Sequence, residues 1–106
     1  MPKYLLHVSY TADGAKGVMK DGGSKRRAAA LSLVESLGGT LEAFYYAFGD
    51  TDVFAIVDMP DSGSTAAASM ALAASGAATI KTTVLLTPEE IDDAVKKPVS
   101  YTPPGQ

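Results

Sequence analysis

Apolar and polar residues along this chain fall into short blocks whose periods differ. KYLLHVSY, Lys3 to Tyr10, is compact, apolar and bounded by polar residues, and predicts a well-buried first strand. Its histidine, His7, falls mid-strand on the face that also carries Leu5 and Ser9. TADGAKGVMKDGGS follows, with glycines at 14, 17, 22 and 23 and no sustained period; it predicts a loop with room for one helical turn. SKRRAAALSLVESLGG predicts a helix, with Ser24 as N-cap and Gly38–Gly39 as its stop. At about 100° per residue, Ala30, Leu33, Val34 and Leu37 share one face, with Leu31 at its margin.

TLEAFYYAF predicts a second strand. Strict alternation points Leu41, Ala43, Tyr45 and Ala47 one way, and Glu42, Phe44, Tyr46 and Phe48 the other. GDTD is a short connection to a third strand, VFAIVDM, so the two should form an antiparallel hairpin. PDSGSTAAASMALAASG predicts a second helix, with Asp61, Ser62 and Ser64 competing to cap it and Gly76 ending it. ATIKTTVLL is rich in β-favouring residues and predicts a fourth strand. TPEEIDDAVKK opens on Thr87, Pro88 and Glu90, a capping-box start for a short last helix, and Pro98 ends it.

The order is β-α-β-β-α-β plus a terminal helix: an α+β, ferredoxin-like sandwich with a four-stranded antiparallel sheet and both helices on one face. One domain is expected over residues 1–97, with an extended tail over 98–106. Both strand faces carry apolar or aromatic residues, so the face without helices is expected to meet a second copy of the chain.

KYLLHVSYT, the block from SKRRAAALSLVESLGG through TLEAFYYAFGDTDVFAIVDMPD, and AAASGAATIKTTVLLTPEE resemble the GYD-domain proteins, small bacterial proteins of the dimeric α/β-barrel superfamily. The resemblance runs from about Lys3 to Glu90. Its most specific parts are the aromatic strand leading into Gly49-Asp50-Thr51-Asp52 and the Ala-Ser-Gly that closes the second helix. It implies the same fold and a homodimer, or a higher assembly, built sheet to sheet. It implies no particular reaction. Where the family pattern places a tyrosine before the last aspartate of the turn, this chain has Thr51.

Charge and composition narrow the partners. Among 106 residues the net charge is -3, which opposes both a nucleic-acid footprint and an anionic membrane surface. There is no cysteine, hence no disulfide frame, thiolate nucleophile or sulfur-ligated metal. The first residues lack a signal-peptide pattern and the longest soft run falls short of a membrane span, so a soluble, cytoplasmic protein is expected.

Candidate chemistry is sparse. His7, the single histidine, is the natural general base near neutral pH; without a triad or ligand cluster beside it, it better suits a half-buried ring bonded across the sheet or the dimer. Tyr10 ends the first strand, where a phenol can orient a ligand or simply hold a wet tip over a core. Ser24, Arg26 and Arg27 open a helix whose free N–H groups attract anions, with Arg26 and Arg27 flanking the apolar face. These cations can instead pair with Asp21, Asp50 or Asp52. Asp50 and Asp52 suit turn chemistry better than a metal site. No nucleotide fingerprint is present, and no cofactor or metal is expected.

A small hydrophobic or anionic molecule bound between helices and sheet is the leading reading. The segment Thr11 to Gly23 would lie over that gap, with Tyr10, His7 and Arg27 near it. A cofactor-independent monooxygenase or isomerase of an aromatic substrate is its catalytic version. A non-catalytic regulatory or structural dimer is the alternative.

Overall fold

A computed structural model describes residues 1–106. The elements are β1 (Lys3–Tyr10), α1 (Ala12–Asp21), α2 (Gly23–Ser36), β2 (Thr40–Tyr46), β3 (Val53–Asp58), α3 (Ser62–Ala74), β4 (Ala78–Leu85) and α4 (Pro88–Ala94). The strands form one antiparallel sheet in the order β2-β3-β1-β4. The α+β architecture and four-stranded sheet are as the sequence predicts, with one helix more.

That helix is α1, in the segment expected to be a loop. Glycines 14 and 17 each weaken a helix by roughly 1 kcal/mol relative to alanine, which masks its ends. Those ends are well made: Thr11 accepts from the Gly14 N–H at 3.2 Å, Asp13 sits in the first turn and Lys20 in the last. Gly22, at φ +85°, turns α1 directly into α2. Gly22 is therefore the N-cap of α2, and Ser24, expected in that role, lies exposed inside the helix without a capping bond. A serine two residues further on cannot reach the first free N–H groups once the chain has already turned at Gly22.

One face of the sheet meets the helices. Tyr4, Leu6, Val8 and Tyr10 lie in register with Val57, Ala55 and Val53 on β3 and with Ile80 and Ala78 on β4. Two packed clusters result. Tyr4, Val34, Val57 and Met59 form one; Val8, Val53, Ala55 and Ala78 form the other. The Tyr4 hydroxyl lies 3.0 Å from the Ser62 hydroxyl and so keeps its polar tip satisfied at the start of α3. The predicted apolar face of α2 is the one that packs: Val34 is buried, Ala30, Leu33 and Leu37 half-buried, and Leu31 exposed at the margin.

The opposite face carries Leu5, His7, Ser9, Ile56, Phe54, Thr83 and Lys81, and no helix covers it. Lys3 at one end of that face pairs with Glu42 and, at 3.0 Å, with Asp58. Hydrogen bonds that the ammonium donates to Glu42 and then to Asp58 hold it above the ordinary pKa of 10.5.

β2 departs from strict alternation. Its register against β3 shifts between Leu41, opposite Val57, and Ala43, opposite Ile56. This bulge at Glu42 puts Leu41 on the helix side with Phe44 and Tyr46, and leaves Ala43 and Tyr45 on the open side. The expected grouping of Leu41 with Ala43 and Tyr45 is thus corrected by one inserted residue.

Asp61 wins the competition to cap α3, accepting from the Ser64 N–H at 2.7 Å. That bond holds its carboxyl below the ordinary 3.8. A carboxylate whose folded pKa is depressed contributes stability above the unfolded value and loses it as pH falls through the folded value. Asp61→Asn keeps an acceptor and removes the titration. The melting-temperature advantage of the parent over this variant should therefore be present at neutral pH, begin to fall as pH approaches the ordinary 3.8 and be lost only as pH drops through the lower folded value, as a calorimetric pH series will show.

Candidate functional site

The helices do not fill the space above the sheet. Between α2, α3 and the sheet lies a cavity of about 190 Å³, walled by Val8, Ala30, Leu33, Phe44, Val53 and Leu72. It adjoins an inner space of about 60 Å³ that reaches Met59, Thr65 and Ala68 and shares the walls Val8, Ala30, Leu33, Phe44 and Leu72. The alanines Ala29 and Ala30 of α2 and Ala68 of α3 explain the gap, because short side chains leave the helix–sheet layer underfilled.

Two polar side chains, Arg26 and Tyr10, stand at the cavity. The Arg26 guanidinium reaches Asp21 only at 3.8 Å, beyond hydrogen-bond distance, and no other protein acceptor takes its N–H groups. Asp21 also faces Lys25 at 3.8 Å. Its charge lies at the start of α2, where it offsets the unfavourable placement of two cations near a helix N-terminus. Tyr10 is half-buried. Burial first, then the neighbouring Tyr46 phenol, pushes its hydroxyl above the ordinary 10.0, with Arg26 opposing. The backbone around Tyr10 is anchored from both sides. Its N–H donates to Asp52 Oδ2 at 2.7 Å, and the Thr11 N–H donates to the Ala77 carbonyl at 2.9 Å. Tyr46 is fixed in turn by donating to the Gly23 carbonyl at 3.0 Å and by edge-to-face contact with Phe44, centroids 5.3 Å apart.

The predicted site residues are thereby separated. Tyr10 and Arg26 meet at the cavity. Arg27 and Ser24 are exposed on α2 away from it. His7 is on the other face of the sheet, its Nε2 3.3 Å from the Thr83 hydroxyl and its ring edge-on to Phe54 at 5.2 Å. The expectation that His7 and Arg27 join Tyr10 near the first loop is corrected on both counts. Residues 7 and 10 differ in parity along one strand and must face opposite ways. On the helix, one step of about 100° carries Arg27 out of the gap that Arg26 enters. The segment Thr11 to Gly23 holds α1 and runs into the start of α2, fastened at the end of β1 rather than draped over the gap.

The hairpin turn does what aspartate-rich turns do. Ser9 donates to the Asp50 carbonyl at 2.9 Å, the Asp52 N–H to the Val8 carbonyl at 2.8 Å, and the Ala47 N–H to the Asp52 carbonyl at 2.8 Å. Thr51 sits half-buried in that turn and does not line the cavity. No three histidine or carboxylate side chains converge on a common point. The cavity walls Ala29 and Leu72 were not foreseen as site residues; their signal, small or apolar residues on an inward helix face, is the same as that of ordinary core.

Fold and site together define a small α+β protein with a four-stranded antiparallel sheet and one apolar, arginine-edged cavity beneath its helices. The GYD domain profile matches residues 4–95, and the chain belongs to the GYD domain family. No curated protein and no solved structure matches it. No helix is long and apolar enough to cross a membrane.

Proposed function

We propose that this protein binds a small apolar anion, a one-ring carboxylate in the first instance, in the cavity between α2, α3 and the sheet. The observation that carries the reading is Arg26. It is the single charged side chain on an otherwise apolar cavity, and its guanidinium has no hydrogen-bonded acceptor of its own. A fork of free donors beside an apolar wall suits a planar carboxylate. The volume is of the right order, since a cavity of about 150 Å³ suffices for benzene. The Arg26 guanidinium offers only N–H donors, and burial, which raises the Tyr10 pKa, keeps its hydroxyl a donor beside it. The lining offers no group that accepts a proton there, which favours capture over turnover by proton abstraction.

The strand order is consistent with a ferredoxin-like sandwich, and the uncovered face with Leu5, Phe54, Ile56 and Tyr45 suits pairing with a second copy, as in a dimeric α/β barrel. Calorimetric titration with benzoate and with uncharged benzamide tests the ligand reading. Benzoate should bind at least 10-fold more tightly, and Arg26→Gln should abolish the difference while leaving the fold intact. Equal binding of the two, or none of either, overturns it.

A further inference from the structure

The chain beyond β4 has no place on its own body. Every residue from Pro88 to Gln106 is exposed, and α4 packs extensively on no other element. The longest dimension is 57 Å and the radius of gyration 16.9 Å, against about 13 Å for a compact domain of this length. Yet this arm is not composed like a solvated tail. Leu86 is 57% exposed, Val95 77%, Val99 80% and Tyr101 73%. Ile91 and Val95, four residues apart, share one side of α4, while Glu89, Glu90, Asp92 and Asp93 supply its charge. Nor is the arm left to form by chance. A seven-residue helix is marginal alone, but the reciprocal bonds of Thr87 and Glu90, each 3.1 Å, and Pro88 in the first turn set its start.

We infer that the arm from Leu86 to Gln106 clasps the body of a second copy of this chain. The inference rests on the sheet-to-sheet pairing proposed above. Area is the first argument. Four strands of at most eight residues make a small face, and obligate homodimers bury more than the standard interface of about 800 Å² per partner. The arm adds the apolar side chains Leu86, Val95, Val99 and Tyr101 to what that face offers, and it leaves the body at the Lys3–Leu85 end of it. Charge is the second. Lys81 stands on the open face in register with His7 and has no anion near it, while the four acids of α4 have no cation. An arm from the partner brings these unpaired charges to the same surface. Preorder is the third, because a helix already capped loses less entropy on docking.

The test measures the dimer dissociation constant by sedimentation over a dilution series, using the full chain. Val95→Asp with Val99→Asp changes two largely exposed side chains of the monomer, so circular dichroism should be unaltered. The dissociation constant should rise at least 30-fold. Lys81→Glu should raise it about 10-fold, and backbone amides from Leu86 to Tyr101 should exchange hydrogen faster in the arm variant than in the parent. Phe54→Asp, on the sheet face, reports on the pairing itself. If the parent is dimeric, Phe54→Asp dissociates it and the arm variant leaves the constant unchanged, the clasp is wrong and the sheet pairing stands. If the parent is monomeric at every concentration, both are wrong.

Discussion

Gly14→Ala is expected to destabilise the fold by about 3 kcal/mol and to lower the melting temperature by roughly 15 °C. A methyl group at Gly14 would lie 1.9 Å from the Ala77 carbonyl oxygen and 2.9 Å from its carbon. Both are backbone atoms, so no rotamer change relieves the overlap. The helix must move away from the strand start. That movement breaks the bonds that fasten it, from the Thr11 N–H to the Ala77 carbonyl and from the Thr11 hydroxyl to the Gly76 carbonyl at 2.7 Å. Gly17, three residues on in the same helix, meets no atom within 4 Å at the corresponding position. Gly17→Ala should therefore stabilise by about 0.5–1 kcal/mol through helix propensity alone. Thermal melts of the two variants should move in opposite directions. A neutral Gly14→Ala would mean that α1 does not approach Ala77.

Met59→Ala is expected to cost about 3–4 kcal/mol, in the upper part of the range for such truncations. Met59 is 1% exposed and packs with Tyr4, Val34 and Val57. Its sulfur fills the space that Gly39 leaves open, since a Cβ on Gly39 would stand 2.5 Å from it. Met59 also walls the 60 Å³ space beneath the helices. Removing the side chain enlarges an existing void instead of letting neighbours close over a new one. Met59→Leu conserves volume and should cost less than about 1.5 kcal/mol. Urea denaturation checks both: the midpoint should fall sharply for alanine, with an unchanged slope. A loss below about 1 kcal/mol for alanine would show that the two clusters can collapse together.

The difference between these two sites illustrates what sequence reading can and cannot reach. Met59 ends an apolar strand, so its burial was legible from the run that precedes it. Gly14 looked like loop punctuation, because a glycine required by close packing and a glycine required by a turn are identical in the chain. The candidate site divides in the same way. Arg26 was legible as a cation flanking an apolar helix face. Its separation from Arg27, and Tyr10's from His7, needed only strand parity and the helical step. What parity did not supply was the gap itself, which is bordered by the short side chains of Ala29 and Ala30 on α2 and of Ala68 on α3.

The amino-acid sequence by itself determined the four strands, the long helices and their stops, the capping box of α4 and the α+β class. These depend on neighbours a few positions away, through period, propensity and capping. Tertiary structure alone decided the bulge at Glu42, the conversion of a glycine-rich loop into α1, the cavity under the helices and the isolation of the C-terminal arm. Each of those follows from residues distant in the chain: β3 sets the register of β2, the Ala77 backbone receives Gly14, and two helices separated by a hairpin both border the cavity with short side chains. Local rules say what a segment prefers; only the packed whole fixes which neighbour it meets.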